Sequence, residues 1–185
     1  MDLLKFKNKK LYLNNFKIEN ILKKRHTPFY LYSLDQIKKN IDQIKSSFKN
    51  FDPLVCYAIK ANSNLSILKE LKKENLGADV VSIGELKLAL KAGINPNKIV
   101  FSGVGKTDSE IKFAIKKGIL SINAESKNEI QLINNISKKL KKNTNIGIRI
   151  NPNIKARTNK KITTGSKINK FGVSISEFFK IIENK

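Results

Sequence analysis

The hydrophobic positions of the chain fall into short runs at nearly regular intervals: "PLVCYAI" (53–59), "GADVVS" (77–82), "KIVFSG" (98–103), "GILSIN" (118–123) and "NIGIRIN" (145–151). Each run is rich in Val and Ile and almost continuous rather than alternating, the pattern of parallel strands covered on both faces. Helical spacing fills the intervals. "SILKELKKENLG" carries apolar residues on one helix face up to a stop at Gly77, and "GELKLALKAG" does so up to Gly93, with Pro96 beyond it. Two further helices open with a capping box, Thr107 with Glu110 in "TDSE" and Ser126 with Glu129 in "SKNE".

Upstream of this rhythm, "KLYLNNFKI" predicts a small strand or hairpin, "HTPFYLYS" a strand starting at Pro28, and residues 34–49 an amphipathic helix. Downstream, residues 151–172 are polar and poor in helix signals, and Ser174 with Glu177 opens a last helix. A repeated strand-helix unit folds as an open doubly wound sheet or as a closed eight-stranded barrel. About five units are present, whereas a barrel takes roughly 250 residues. The expected fold class is therefore α/β, and a barrel would be a partial (β/α)8 TIM barrel. Its last strands would then lie outside this sequence, and "SEFFKIIENK" stops inside a helix as a truncated chain would.

Composition narrows the class. A chain of 185 residues with 40% hydrophobic positions can bury a core, which sets disorder aside. No run approaches the roughly 20 apolar residues of a membrane-spanning helix. The charges of "MDLLKFKNKK" stand where a secretory peptide needs an apolar region, so a cytoplasmic protein is expected. The single cysteine, Cys56, agrees with a reducing compartment and reads as a small buried hydrophobe.

The formal charge of +22 suggests nucleic acid, but its distribution argues otherwise. Only Arg25, Arg149 and Arg157 are arginines, and the lysines scatter along helix faces as in "LKELKKENL". No basic stretch interleaved with aromatics and no zinc-ligand spacing occurs, so neither a nucleic-acid partner nor a metal is expected. His26 stands alone, without the neighbours a catalytic histidine needs.

"FSGVGKT" (101–107) ends as a phosphate-binding loop ends, but Val100 occupies the position of that loop's first glycine. What remains is a Gly-containing turn between a strand and a helix N-terminus, which reads as an anion site or, more often, only as a turn. Lys60, Asp79, Glu85 and Arg149 differ in kind. Lys60 falls at the carboxyl end of the first strand, the edge where parallel α/β folds bind ligands. Asp79 stands among Ala78, Val80 and Val81, where an unpaired carboxylate costs several kcal/mol. Lys60 on the neighbouring strand is the expected partner, and Arg149, between Ile148 and Ile150, has the same need of one. These groups read either as an ion-pair network that fixes register or as a Schiff-base site. In the second case Lys60, its amine deprotonated by desolvation, attacks an aldehyde, for which pyridoxal phosphate is the usual cofactor.

The residues resemble the pyridoxal-phosphate decarboxylases with an alanine-racemase-like barrel. "YAIKANSN" is similar to their cofactor-lysine segment, "GADVVSIGELKLALKAGI" to their second strand and helix, and "IVFSGVGKT" to their third strand. "RINPN" followed by "ITTGSKINKFGV" is similar to their fifth strand and the loop beyond, with Asn159 and Lys160 where His-Pro is common. The resemblance implies pyridoxal 5'-phosphate held on Lys60, Ala58 as a small residue beside it, Asp79 and Glu85 as acids near the lysine, and Arg149 in the same polar network. It implies decarboxylation of a small amino-acid substrate, meso-2,6-diaminopimelate giving L-lysine, by a homodimer of the complete enzyme. The alternatives are ornithine or arginine as substrate, or a fragment that binds the cofactor without catalysis or is inactive. It further implies that residues 1–33 contribute to a β-domain and that residues 34–185 form an incomplete cofactor-binding barrel.

Overall fold

The computed structural model describes residues 3–154 and 171–183, in two compact units, Met1–Pro53 and Leu54–Lys185. Arg157, Asn159, Lys160 and most of "ITTGSKINKFGV" lie outside the described residues.

In the first unit, β1 (Leu4–Lys7), β2 (Lys10–Leu13) and β3 (Phe16–Lys17) form an antiparallel sheet in that order. A short helix, α1 (Ile18–Leu22), follows, and then α2 (Leu34–Ser47). Ser33 caps α2 by accepting from the Gln36 N–H at 3.2 Å. Asn14, in the turn between β2 and β3, donates to Ser33 Oγ at 2.8 Å and to Asp35 Oδ2 at 3.0 Å, which ties the sheet to the helix start. The strand expected from Pro28 does not form. A strand exists through its ladder partners, none of the described segments pairs with these residues, and Tyr30 is 90% exposed.

The second unit follows the repeat. β4 (Cys56–Ala58), β5 (Gly77–Val80), β6 (Ile99–Phe101), β7 (Ser121–Ala124) and β8 (Ile146–Ile148) form one all-parallel sheet in sequence order. Between them run α3 (Leu65–Lys73), α4 (Ile83–Lys91), α5 (Asp108–Lys117) and α6 (Lys127–Leu140). A doubly wound sheet reverses its strand order part-way, whereas this one adds every strand on the same side, as a barrel does. Beyond it, β9 (Ile150–Asn151) pairs in parallel with β10 (Val173–Ser174), and α7 (Ile175–Glu183) follows.

The register divides the sheet into two faces. Ala78, Val80, Ile99, Phe101, Ile122 and Ala124 are wholly buried. They pack beneath the helices, α4 on β5 and β6 and α6 on β7, each large side chain contributing about 1.5–3 kcal/mol. The opposite face carries Ala58, Asp79, Val100 and Ser121, neighbours along one row of the ladder and half-buried. Small and polar residues there leave room for a site.

Two local expectations need correction. Gly77 does not end α3. The left-handed position after that helix belongs to Asn75 (φ 61°), and Gly77 opens β5, where a Cβ would run into the Lys98 carbonyl and come within 2.7 Å of Cys56 Sγ. Glycine is needed for close approach of the chains rather than for a turn. The capping box at Thr107 and Glu110 is complete, but Ser126 and Glu129 make only half of one. Ser126 accepts from the Glu129 N–H at 3.2 Å, while the Glu129 carboxylate takes the Glu125 N–H at 2.7 Å instead of that of Ser126.

Candidate active site

A cleft of about 730 Å³ opens at the carboxyl ends of β4 to β8, where the loops leaving five successive strands meet. Lys60 enters it from a single 3-10 turn, Ile59–Ala61, directly after β4. Ile59 is fully buried and anchors that turn, so the next side chain is turned outward, and Lys60 is exposed. Its amine has no hydrogen-bond or ion-pair partner among the described residues.

The expected Lys60–Asp79 ion pair is absent. Asp79 is satisfied from the other side, since Ser102, following β6, donates its hydroxyl to Asp79 Oδ1 at 2.7 Å. Ser102 in turn accepts from Asn123 Nδ2 at 3.0 Å. A relay therefore runs Asn123 to Ser102 to Asp79 across β7, β6 and β5, and it ends on the half-buried carboxylate that lines the cleft beside Lys60. Asp79 needs no cation because a hydroxyl hydrogen bond to a carboxylate, worth about 1.5–3 kcal/mol, offsets its partial desolvation. The desolvation expected for Lys60 is likewise not supplied by the described residues.

Arg149 sits between β8 and β9 and does find a partner, though not one the sequence reading named. Its Nη1 donates to Glu125 Oε1 at 3.1 Å, and its guanidinium lies 4.7 Å from the centre of the Phe171 ring. Glu125 is only 6% exposed and accepts also from the Gly172 N–H at 3.0 Å. Gly172 holds φ 74° at a point where a Cβ would lie 2.7 Å from the Arg149 carbonyl, so a glycine is required there.

Glu85 and Ala58 are not among the residues that line the cleft with Lys60. The Glu85 carboxylate accepts the Val81 N–H at 2.7 Å and closes the turn into α4. Ala58 lies opposite Asp79 in the ladder. Lys106, in "FSGVGKT", is buried and committed to protein acceptors: its ammonium donates to the Gly103 carbonyl at 2.6 Å and to the Asn123 carbonyl and Glu129 Oε1, each at 2.8 Å.

The sequence reading thus missed Ser102, Asn123 and Glu125, and saw Lys106 only within "FSGVGKT" and Glu129 only as a capping residue. The rule that singled out Lys60, chemistry at the carboxyl end of a parallel strand, points equally to Ser102 after β6 and to Asn123 and Glu125 at the end of β7. Two groups around the site are shifted. The Thr107 N–H, aided by the Thr107 hydroxyl, the Ile83 N–H and the charge of Lys106, holds the Glu110 carboxyl below the usual carboxylate range. Burial, with the charge of Asp79, pushes the Cys56 thiol up. Cys56 is half-buried, with Sγ 3.7 Å from the Lys98 carbonyl.

The residues fit pyridoxal phosphate on three counts: an uncommitted amine, a polar rim and open volume. The family described as "Pyridoxal-dependent decarboxylase, pyridoxal binding domain" matches residues 34–185. The chain is 52% identical over 162 residues to a diaminopimelate decarboxylase of Helicobacter pylori, covering 88% of this chain and 40% of that protein. Among solved structures it is similar to the diaminopimelate decarboxylase of Helicobacter pylori complexed with L-lysine, with a TM-score of 0.85 and 51% identity over 89% of this chain and 42% of that one. It is similar also to that of M. jannaschii in co-complex with L-lysine, with a TM-score of 0.89 and 37% identity over 99% of this chain and 44% of that one. The chain spans about 40% of the length of the relatives it matches. No helix among the described residues is long and apolar enough to cross a membrane. With 152 consecutive positions (34 through 185) under the family's pattern and a free lysine at the mouth of a singly wound parallel sheet, the chain belongs to the pyridoxal-dependent decarboxylases through their pyridoxal binding domain, which implies pyridoxal 5'-phosphate as its cofactor.

Proposed function

We propose that the chain provides the cofactor-lysine part of an enzyme that decarboxylates meso-2,6-diaminopimelate to L-lysine. The carrying observation is the state of Lys60. Of the lysines at the cleft and its wall, Lys106 is committed to three acceptors, whereas Lys60 lines the cleft with its amine exposed and uncommitted. An amine that must bond covalently to an aldehyde requires that freedom. The names of the relatives supply the substrate and the product.

Bound pyridoxal phosphate supplies a ring that accepts the electron pair left when carbon dioxide departs. This chain's residues prepare the place. Lys60 holds the cofactor, and the relay from Asn123 through Ser102 fixes Asp79 beside it with an oxygen still free to accept. Ala58, without bulk in the row of Asp79, leaves the cleft floor open, and Glu85 fixes the rim by closing the turn after β5. Arg149, steered by Glu125 and Phe171, brings a positive charge to the opposite wall, suited to an anionic part of cofactor or substrate.

In this reading residues 1–33 contribute to a β-domain and residues 34–185 to the barrel. The complete enzyme is a cytoplasmic homodimer acting on a small amino acid, away from membrane and nucleic acid. Borohydride reduction of the whole polypeptide in the presence of pyridoxal phosphate, followed by peptide mass analysis, tests it. Label on Lys60, lost in Lys60→Ala, is expected, and label on another lysine refutes it. Carbon dioxide release from meso-diaminopimelate in preference to ornithine and arginine tests the substrate.

A further inference from the structure

The most deeply buried charge near the cleft has no part in that chemistry. The Lys106 side chain is 2% exposed and that of Glu129 10%, and burying such a pair is costly unless every donor and acceptor is met. Here they are met. The ammonium has three N–H donors and three acceptors, the Gly103 carbonyl, the Asn123 carbonyl and Glu129 Oε1. Gly103 and Asn123 both line the cleft, so one lysine joins the loop after β6 to the end of β7. The second oxygen of Glu129 takes the Glu125 N–H at 2.7 Å. Glu125 then holds Arg149 and the Gly172 N–H. The bonds form an unbroken run from the β6 loop to the residue preceding β10, crossing β7 and the end of β8.

We propose that Lys106 and Glu129 are positioning residues that set Glu125, and through it Arg149, for the anion bound in the cleft. The anion's identity as pyridoxal phosphate rests on the function proposed above. Without the ammonium, two carbonyls and a carboxylate are left facing one another in a buried space, and the Glu125 backbone loses its anchor. Arginine is no substitute, because a planar fork cannot meet three acceptors disposed around a single nitrogen.

The test uses Lys106→Met and the nearly isosteric Glu129→Gln in the whole polypeptide, with Glu70→Gln, a partly exposed acid of α3 paired with Lys73, as a control outside the run. Amide hydrogen exchange, read by NMR without cofactor, should accelerate about tenfold at Glu125 and Gly172 in both variants, as expected for a lost charge-assisted bond. In Glu70→Gln those two amides should stay within about twofold of the parent, as distant independent sites do. Pyridoxal phosphate affinity should fall about tenfold in Lys106→Met, and Lys106→Met combined with Glu125→Gln should bind no more weakly than Glu125→Gln alone. Unchanged exchange at Gly172, or effects on affinity that multiply, overturns the proposal. Should Lys106→Met not fold, Glu129→Gln carries both readouts. If the parent protein takes up no pyridoxal phosphate, the cofactor reading falls, and the exchange measurement still decides the positioning role.

Discussion

Gly147 on β8 faces Asn123 on β7 directly across the parallel ladder. Its backbone is that of an ordinary strand, so a side chain is not barred by φ; what bars it is Asn123, whose Oδ1 a Cβ would strike, with Cγ at 3.3 Å. Gly147→Ala should therefore push the Asn123 carboxamide aside and break its 3.0 Å bond to Ser102. Three terms set the size. Lower entropy of the unfolded chain favours alanine by about 0.4–1 kcal/mol. The lost hydrogen bond opposes it by about 0.5–1.5 kcal/mol, and the forced repacking by about 1–3 kcal/mol. The net is a destabilisation of about 0.5–4 kcal/mol, measurable by urea unfolding at unchanged m value. In an Asn123→Ala background the obstacle is gone, since the Asn123 Cα stands at a comfortable 3.9 Å. Gly147→Ala should there be neutral, or stabilising by up to about 1 kcal/mol. The cycle should show coupling of about 2 kcal/mol, and a value below about 0.5 kcal/mol, the additivity of independent sites, refutes the argument.

Three further outcomes are expected. Glu110→Gln should destabilise the fold by about 1 kcal/mol at neutral pH, the scale of a lost cap. Because the folded-state value of Glu110 lies below its ordinary 4.5, its contribution is present above that value and fades as pH falls through the lowered one. The difference between parent and variant should accordingly shrink in acid, and a constant difference from pH 7 to strong acid contradicts this. Phe101→Ala, at a wholly buried position beneath α4, should cost about 3–5 kcal/mol by denaturant titration. Alkylation of Cys56 should be slower at pH 8 than that of a free thiol, because its raised value leaves less thiolate, and labelling at the free-thiol rate would contradict the burial described.

Much of the fold was legible because one periodic signal carried it. The five parallel strands fall on the five apolar runs, β7 reaching one residue past its run, and the caps read at Thr107, Ser126 and Ser174 sit where helices begin. Where the reading failed, the deciding fact was non-local. A strand from Pro28 needs a partner that its own residues cannot announce. Gly77 looks like a helix stop in sequence, and its reason, the Lys98 carbonyl, lies on the next strand. Lys60 and Asp79 were correctly placed at the same sheet edge and wrongly paired, because the serine that immediately follows β6 reaches the carboxylate first. Arg149 announced a need for an acid but not which acid, and Glu125 was hidden by its place outside any apolar run.

The turns at the cleft rim share one device. Glu85 closes on Val81, Glu110 on Thr107 and on Ile83 in the preceding unit, Glu129 on Glu125, and Glu177 on Ser174, each carboxylate standing in for a backbone acceptor. In a chain with 37 Lys and Arg against 15 Asp and Glu, this divides the surface by how freely it can drift. Lysine can spread over the outer helix faces at little cost, since an exposed charge there touches only water. It cannot replace these four acids, for a cation facing an N–H would force the loop open. In a chain this rich in lysine, these four acids mark turns where a basic residue would cost the loop its closing bond.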